Sequence, residues 1–348
     1  MTGRRQRSDR RGAERLSRPG KHAEVEDLAL GAASRVRDAV APNLGTAGAR
    51  AGVGVAPGGD ITMAIDEIAE TVLAECLAAA GDIAYYSEDR GYVEFGAPRA
   101  IFVVDPIDGT RPAAAGLESC CVSIAVVPPS PDATLGEVTF GVVHEIKSGD
   151  RFFAARGRGA HGRRADGAEI PLRLSTNTDL ASLFWTAGLR GRPVVPLSVA
   201  LEPLIDGSSM HGGYFDLGSA TFNMTRIVTG QLDAYVDIGR RLLDEVPECE
   251  AQFRRVGEGA LCTNFPYDVA AAALVVTEAG GVVTHADGRP LDSHPAVGSG
   301  DDYGLAVLAS ATPELHARLL AEIDAGVDRV RTGLAAAPKK TGNGGSAP

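Results

Sequence analysis

The chain's 348 residues predict a layered α+β protein of two lobes. Three observations carry this. Strand-like apolar runs cluster between residues 100 and 155. Beyond Arg164 the pattern changes to longer alternating α/β segments, an order expected of strands and helices stacked as layers. The composition, 44% hydrophobic and 23% charged, supplies enough apolar surface for one large core shared by both lobes.

The elements follow in chain order. Val25, Leu28, Ala32, Val36 and Val40 recur at helical spacing and predict a first helix from Ala23 to Val40. The next stretch, NLGTAGARAGVGVAPGGD, is Gly-rich and reads as a loop; no strand–turn–helix frame surrounds it, so it predicts no dinucleotide-binding turn. Ile61, Ile65, Ile68, Val72, Leu73, Cys76 and Leu77 mark a second helix, with Asp60 or Thr62 as its cap. AIFVVD is a buried strand ending in a carboxylate. Cys121 to Val127, Val138 to Ile146 and Arg151 to Ala155 are further strands, the last two joined by a turn at Lys147–Asp150. DAYVDI is a strand ending at Ile238, and residues 239–266 are polar and irregular, an expected inserted loop. Asp268 to Ala279 is an apolar helix closed by Gly280-Gly281. A strand from Gly304 to Ala309 and an amphipathic helix from Pro313 to about Val330 complete the pattern. The expected organisation is a disordered basic arm (1–22), an N-terminal α+β lobe (23–165), a C-terminal α/β lobe (166–332) and a disordered tail (333–348).

A formal net charge of −11 argues against nucleic acid as a partner. It does not exclude an anionic substrate, because bound metal ions reverse the local field. Cys76, Cys120, Cys121, Cys249 and Cys262 are odd in number and contain no CxxC pair, which speaks against a zinc cage or disulfide framework and for reduced thiols in the cytoplasm. No apolar run approaches the ~20 residues of a membrane span, and the basic N-terminus has no apolar segment behind it, so neither a membrane partner nor a secretory signal is expected.

Chemistry concentrates at Asp105-Pro106-Ile107-Asp108-Gly109-Thr110. Two carboxylates three residues apart leave an apolar strand at a Pro-containing turn that can converge them on one point. Hard oxygen ligands of this kind suit Mg²⁺, which also binds substrate phosphate. Gly109 permits close backbone approach, Thr110 offers a hydroxyl, and the amides that follow would bind phosphate if a helix starts there.

With this hexapeptide the chain resembles the inositol monophosphatase family of the lithium-sensitive sugar phosphatase superfamily. Three more segments agree in order: Thr62-Met63-Ala64-Ile65-Asp66, Ser87-Glu88-Asp89, and Tyr267-Asp268-Val269-Ala270-Ala271 leading to Glu278-Ala279-Gly280-Gly281. GVVHEIKSGDRFFAARGRGAHG and GSATFNMTRIVTGQLDAYVDIG are similar to the family's segments between those motifs, and GGDITMAIDEIAE leans towards archaeal-type members acting on inositol phosphate and fructose bisphosphate. The resemblance implies an αβαβα sandwich and Mg²⁺-dependent hydrolysis of a small phosphorylated polyol or sugar, with two to three ions per site. It implies one metal on Glu88, Asp105 and the Ile107 carbonyl, a second on Asp105, Asp108 and Asp268, and a loosely held third at Glu88. Asp66 and Thr110 would polarise the attacking water. Gly109, Thr110, Arg111, Gly218, Ser219, Ala220, Asp237 and Asp268 would contact substrate. Taken alone, Asp268 also suits a helix cap, Asp237 a strand end, and Gly218–Ala220 a packing turn. Relatives of this kind are commonly homodimers.

The departures fall near the expected substrate mouth. Arg111-Pro112-Ala113-Ala114-Ala115 replaces the family's usual Asn-Phe, Tyr267 replaces Trp, and the 239–266 segment is longer. Pro112 predicts an extended Arg111 before a short helix ended by Gly116, with the guanidinium at its mouth to bind a second anion or pair with Glu118. Inositol 1-phosphate is the first expected substrate and fructose 1,6-bisphosphate the second. A nucleotide 3′-phosphate or histidinol phosphate follows. The alternative of another class is a catalytically silent, ligand-binding relative.

Overall fold

The computed structural model describes residues 21–57, 59 and 61–336. The N-terminal half contains α1 (Lys21–Val40), β1 (Gly52–Val55), β2 (Ile61–Met63), α2 (Ala64–Ala80), β3 (Ile83–Ser87), β4 (Gly91–Phe95), β5 (Ile101–Asp108), α3 (Thr110–Ala115), β6 (Cys121–Val127), β7 (Phe140–Glu145), β8 (Arg151–Ala155), β9 (Ala160–Arg163) and β10 (Glu169–Ile170). The C-terminal half contains β11 (Phe184–Ala187), α4 (Val194–Ser208), β12 (Gly213–Phe215), α5 (Ala220–Val228), β13 (Ala234–Asp237), α6 (Gly239–Glu245), α7 (Glu250–Val256), α8 (Pro266–Glu278), β14 (Val282–His285), β15 (Val307–Ser310) and α9 (Pro313–Ala336).

Eight strands form one sheet in the order β10-β9-β8-β7-β6-β5-β3-β4, and five form a second in the order β12-β11-β13-β15-β14. Side-chain alternation sorts both sheets into layers. Phe102 and Val104 of β5 pack with α1 and α2, in a cluster with Ala29, Val36, Ile65 and Leu73. Ile101 and Val103, on the other face, pack with Met224 and Ile227 of α5 and with Val269–Val276 of α8. Tyr235 of β13 joins that middle layer, whereas its neighbours Ala234 and Val236 face Leu197, Leu201 and Leu319 of α4 and α9. The layers therefore run helix, sheet, helix, sheet, helix. Because β5 is buried on both faces, it reads as a continuous apolar run.

Several local expectations are corrected. The Gly-rich segment after α1 is not all loop: Val55 pairs with Ile61 and Gly52 with Met63 in a β1–β2 hairpin. Val53 and Val55 are solvent-exposed, so the hairpin has no buried face to leave a periodic signal. Residues 239–266 carry α6 and α7, and Leu242 and Phe253 of these helices, with Val246 and Cys249 between them, are buried in one cluster with the C-terminal sheet. Helix α3 begins at Thr110, so Arg111 is helical rather than extended. Pro112 is tolerated there because first-turn N–H groups have no helical partner to lose. The N-cap of α2 is Met63; Thr62 instead donates its hydroxyl to Asp89, and Asp60 lies outside the described residues. The first sheet continues past residue 165 to β10. Helices α1 and α9 start at Lys21 and end at Ala336; the rest of the expected arm and tail lies outside the described residues.

Candidate active site

The pairing of β5 with β6 slips at the Pro106-Ile107 pair: Asp105 lies opposite Ser123, but Asp108 lies opposite Cys121. Three steps on β5 match two on β6, which is a β-bulge. In a regular strand residues i and i+3 face opposite ways; the bulge brings both carboxylates to one place. There they meet Asp268, and ligand oxygens of Asp105, Asp108 and Asp268 lie within 4.8 Å of one another. Pro106 has no N–H to strand in the bulge, and the Ile107 N–H donates to Asp105 Oδ1 at 2.9 Å. Gly109 then turns the chain at φ 93°, where an added Cβ would lie 2.4 Å from the Ser119 carbonyl oxygen. Glycine is therefore required on both conformational and steric grounds.

Asp108 is held by the start of α5. It accepts hydrogen bonds from Ser219 Oγ (2.8 Å), Ala220 N (3.3 Å), Thr221 N (2.6 Å) and the Thr221 hydroxyl. Asp66 and Asp268 share a different local device. Each is the third residue of its helix and reaches back to the N-cap amide, Asp66 to Met63 N at 2.7 Å and Asp268 to Phe265 N at 2.6 Å. The other oxygen of Asp66 accepts from Thr110 Oγ1 at 3.0 Å, and the same hydroxyl lies 3.1 Å from the Ile107 carbonyl oxygen. Glu88 follows β3 directly and lines the same cleft as Asp108 and Asp268.

Burial and mutual repulsion raise every carboxyl here. Burial, then Asp89 and Glu70, push Asp66 up to about 7, against the Met63 amide and Thr110 hydroxyl that lower it. Burial and Asp108 push Asp268 up to about 7, opposed by the Phe265 amide, Arg190 and Arg192. Glu88 and Asp105 are held well above the carboxylate range by burial and by the acids around them. Asp108 is raised by burial despite its four donors. Such a cluster either keeps protons or takes up cations.

The cleft encloses about 730 Å³, part of it open to solvent. Glu88, Asp108, Gly218, Ser219, Ala220 and Asp268 line it as expected. Asp237 does not. It has no exposed surface, and its carboxylate is taken up by Arg192 (2.7 Å), Asn264 Nδ2 (3.0 Å) and Gly239 N (3.0 Å). Gly188 makes room for that ion pair: a Cβ there would lie 2.4 Å from Arg192 Nη1 and 2.5 Å from Asp237 Oδ2. Arg111 is half-buried in the first turn of α3, has a partner, and is not on the cleft wall. Arg190, Arg192, Asn223 and Asn264 line the cleft without having been expected there. The one sequence signal for them is the pair of arginines flanking a glycine, Arg190-Gly191-Arg192, on the loop after β11.

The sequence profile described as the inositol monophosphatase family matches residues 21–327. The chain belongs to the inositol monophosphatase family. With it the chain joins the phosphoric monoester hydrolases. A fructose-1,6-bisphosphatase/inositol-1-monophosphatase of Methanothermobacter thermautotrophicus is 27% identical over 305 residues, 85% of this chain and 95% of that one. A Nus factor SuhB of Pasteurella multocida is 25% identical over 268 residues, 76% of this chain and 82% of that protein. Among solved structures, the IMPase of Thermotoga maritima superposes with a TM-score of 0.63 over 88% of this chain and 99% of its own, at 21% identity. That likeness is one of fold, and it matches the five-layer sandwich described above. Among the described residues no helix is long and apolar enough to cross a membrane.

Proposed function

We propose that this family member hydrolyses the phosphate monoester of a small polyol or sugar, with inositol 1-phosphate as its leading substrate and Mg²⁺ as its cofactor. The observation that carries the reading is the convergence of Asp105, Asp108 and Asp268 in the same site as the Asp66–Thr110 hydrogen bond. An all-oxygen donor set fits Mg²⁺ better than softer metals. Carboxyls raised by burial and repulsion are the groups a divalent cation would stabilise as anions. Glu88, Asp105 and the Ile107 carbonyl would hold one ion, Asp105, Asp108 and Asp268 a second, and Glu88 would help hold a third. Bound Mg²⁺ supplies charge neutralisation, water of lowered pKa and stabilisation of the leaving alkoxide.

The chain's own groups do the rest. Thr110 Oγ1, donating to Asp66, turns a lone pair outward to accept a hydrogen bond from the attacking water. Asp66, raised to about 7, takes that water's proton near neutral pH. The P–O bond to the alcohol breaks as the water oxygen bonds phosphorus, giving alcohol and inorganic phosphate without a covalent enzyme intermediate. The amides of Gly109 and Thr110 would bind phosphate, and Gly218, Ser219 and Ala220 would face the substrate body. The reading carries with it a cytoplasmic homodimer, in keeping with five free thiols.

Fructose 1,6-bisphosphate is the second reading, favoured by the name of the Methanothermobacter relative. Phosphate release from a panel of inositol, sugar and nucleotide phosphates, with Mg²⁺ and with EDTA, tests the proposal. Inositol 1-phosphate should turn over fastest and only with Mg²⁺. Absence of Mg²⁺-dependent release from every compound overturns the reading.

A further inference from the structure

The reaction proposed above uses the carboxylates around Asp105 and leaves the substrate body without an acceptor for its hydroxyls. Asp237, the carboxylate expected to supply one, is sealed from the cleft: it has no exposed surface and is held by Arg192, Asn264 and the Gly239 amide. Among the described residues that line the cleft, Asp216 is the acid outside the cluster of Glu88, Asp105, Asp108 and Asp268. It directly follows β12 and is solvent-exposed, so its oxygens are open to a ligand. Burial of part of the group raises its carboxyl, and the Gly218 amide and the Arg192 guanidinium oppose that rise by favouring the anion. The chain around it is fixed. Gly218 turns at φ 71°, and a Cβ there would meet Pro112 Cγ of α3 at 3.1 Å. One residue on, Ser219 Oγ donates to Asp108 at 2.8 Å. Asp216 is thereby tied to the acidic cluster through three residues, and those that follow it, Gly218 to Ala220, are the ones set against the substrate body. Charge on this side of the cleft balances: the guanidiniums of Arg190 and Arg192 are offset by the carboxylates of Asp216 and Asp237, which leaves no net positive charge for a second anion.

We infer that Asp216 determines specificity for the substrate body, its carboxylate accepting hydrogen bonds from hydroxyls of the polyol in the place of the sealed Asp237. The preferred substrate is then a phosphate monoester whose other end is uncharged and rich in hydroxyls. This rests on the phosphatase reading and deepens it. A carboxylate suits the task because its two oxygens accept from neighbouring hydroxyls together, and bonds to an ionised acceptor are stronger than neutral ones.

The test measures kcat and KM with Mg²⁺ for inositol 1-phosphate, for cyclohexyl phosphate, which has the same ring without its hydroxyls, and for fructose 1,6-bisphosphate. The wild type should have its highest kcat/KM on inositol 1-phosphate. Asp216→Ala should raise KM for inositol 1-phosphate about tenfold or more with kcat nearly unchanged, as expected for loss of a charge-assisted bond. It should leave the KM of cyclohexyl phosphate where it was and narrow the gap to fructose 1,6-bisphosphate. Asp216→Asn, which keeps a neutral acceptor, should recover part of the loss. Equal KM changes on inositol 1-phosphate and cyclohexyl phosphate, an unchanged KM for inositol 1-phosphate, or a wild type that prefers either other compound overturns the inference while leaving the phosphatase reading intact. No phosphate release from any of the three compounds by the wild type overturns both.

Discussion

Asp66 provides a perturbation whose sign distinguishes a functional carboxylate from a structural one. It is 5% exposed, and its pKa is pushed from 3.8 to about 7, first by burial. At 1.36 kcal/mol per unit, that shift of roughly three units means the metal-free fold bears ~4 kcal/mol for keeping Asp66 ionised. Because the folded-state pKa is the higher one, stability is fully present below about pH 4 and declines as the pH rises to about 7. Asn at this position carries no charge. It keeps an acceptor for Thr110 Oγ1 but turns an NH₂ towards the Met63 amide, losing a bond of about 1.5–3 kcal/mol. In EDTA at pH 8, Asp66→Asn should therefore be about 1–2.5 kcal/mol more stable than the wild type by urea unfolding. At pH 5 that advantage should vanish or reverse. Phosphate release in Mg²⁺ should nevertheless fall at least about 100-fold, as expected for loss of a proton acceptor. A variant that is less stable than the wild type by the same amount at both pH values would refute the reasoning, because Asp66 would then be an ordinary ionised cap.

Two further outcomes follow from the same site. Asp237→Ala leaves Arg192 buried without its carboxylate and should cost about 3–5 kcal/mol in urea unfolding; an unchanged midpoint would contradict the structural role given to Asp237. Gly109→Ala must adopt φ 93° and relieve a 2.4 Å approach to the Ser119 carbonyl, so it should lose about 1–3 kcal/mol of stability and most activity, whereas a variant with wild-type melting and turnover would show that the bulge tolerates a side chain.

The acidic side of this site was legible because it is built from local devices. The apolar run before Asp105 is the imprint of a strand buried on both faces, and Asp66 and Asp268 each open a helix whose apolar periodicity is plain. What escaped depends on tertiary contact. Asp237 ends a strand as any surface acid would; only the arrival of Arg192 from the β11–α4 loop explains its burial. The β1–β2 hairpin exposes both its valines, so alternation carries no message there. Residues 239–266 are a different case. Leu242, Val246, Cys249 and Phe253 recur at helical spacing, yet arginines, acids and Pro247 around them obscure the stripe. At Arg111 a real local preference lost: Pro112 disfavours helix before it, but the turn imposed by Gly109 and closure at Gly116 hold the whole segment helical.

The central claim is that the Asp105 cluster works through Mg²⁺. The most direct measurement is phosphate release from inositol 1-phosphate as Mg²⁺ is titrated into EDTA-treated wild type and Asp105→Asn. The wild type should be inactive without the ion and gain activity along a saturable curve. Asp105→Asn, which removes the ligand shared by both proposed ions, should stay folded and remain at least about 1000-fold below it at every concentration, a loss of about 4 kcal/mol. Turnover in EDTA equal to that in Mg²⁺, or a folded Asp105→Asn protein with near wild-type rates, would contradict the account.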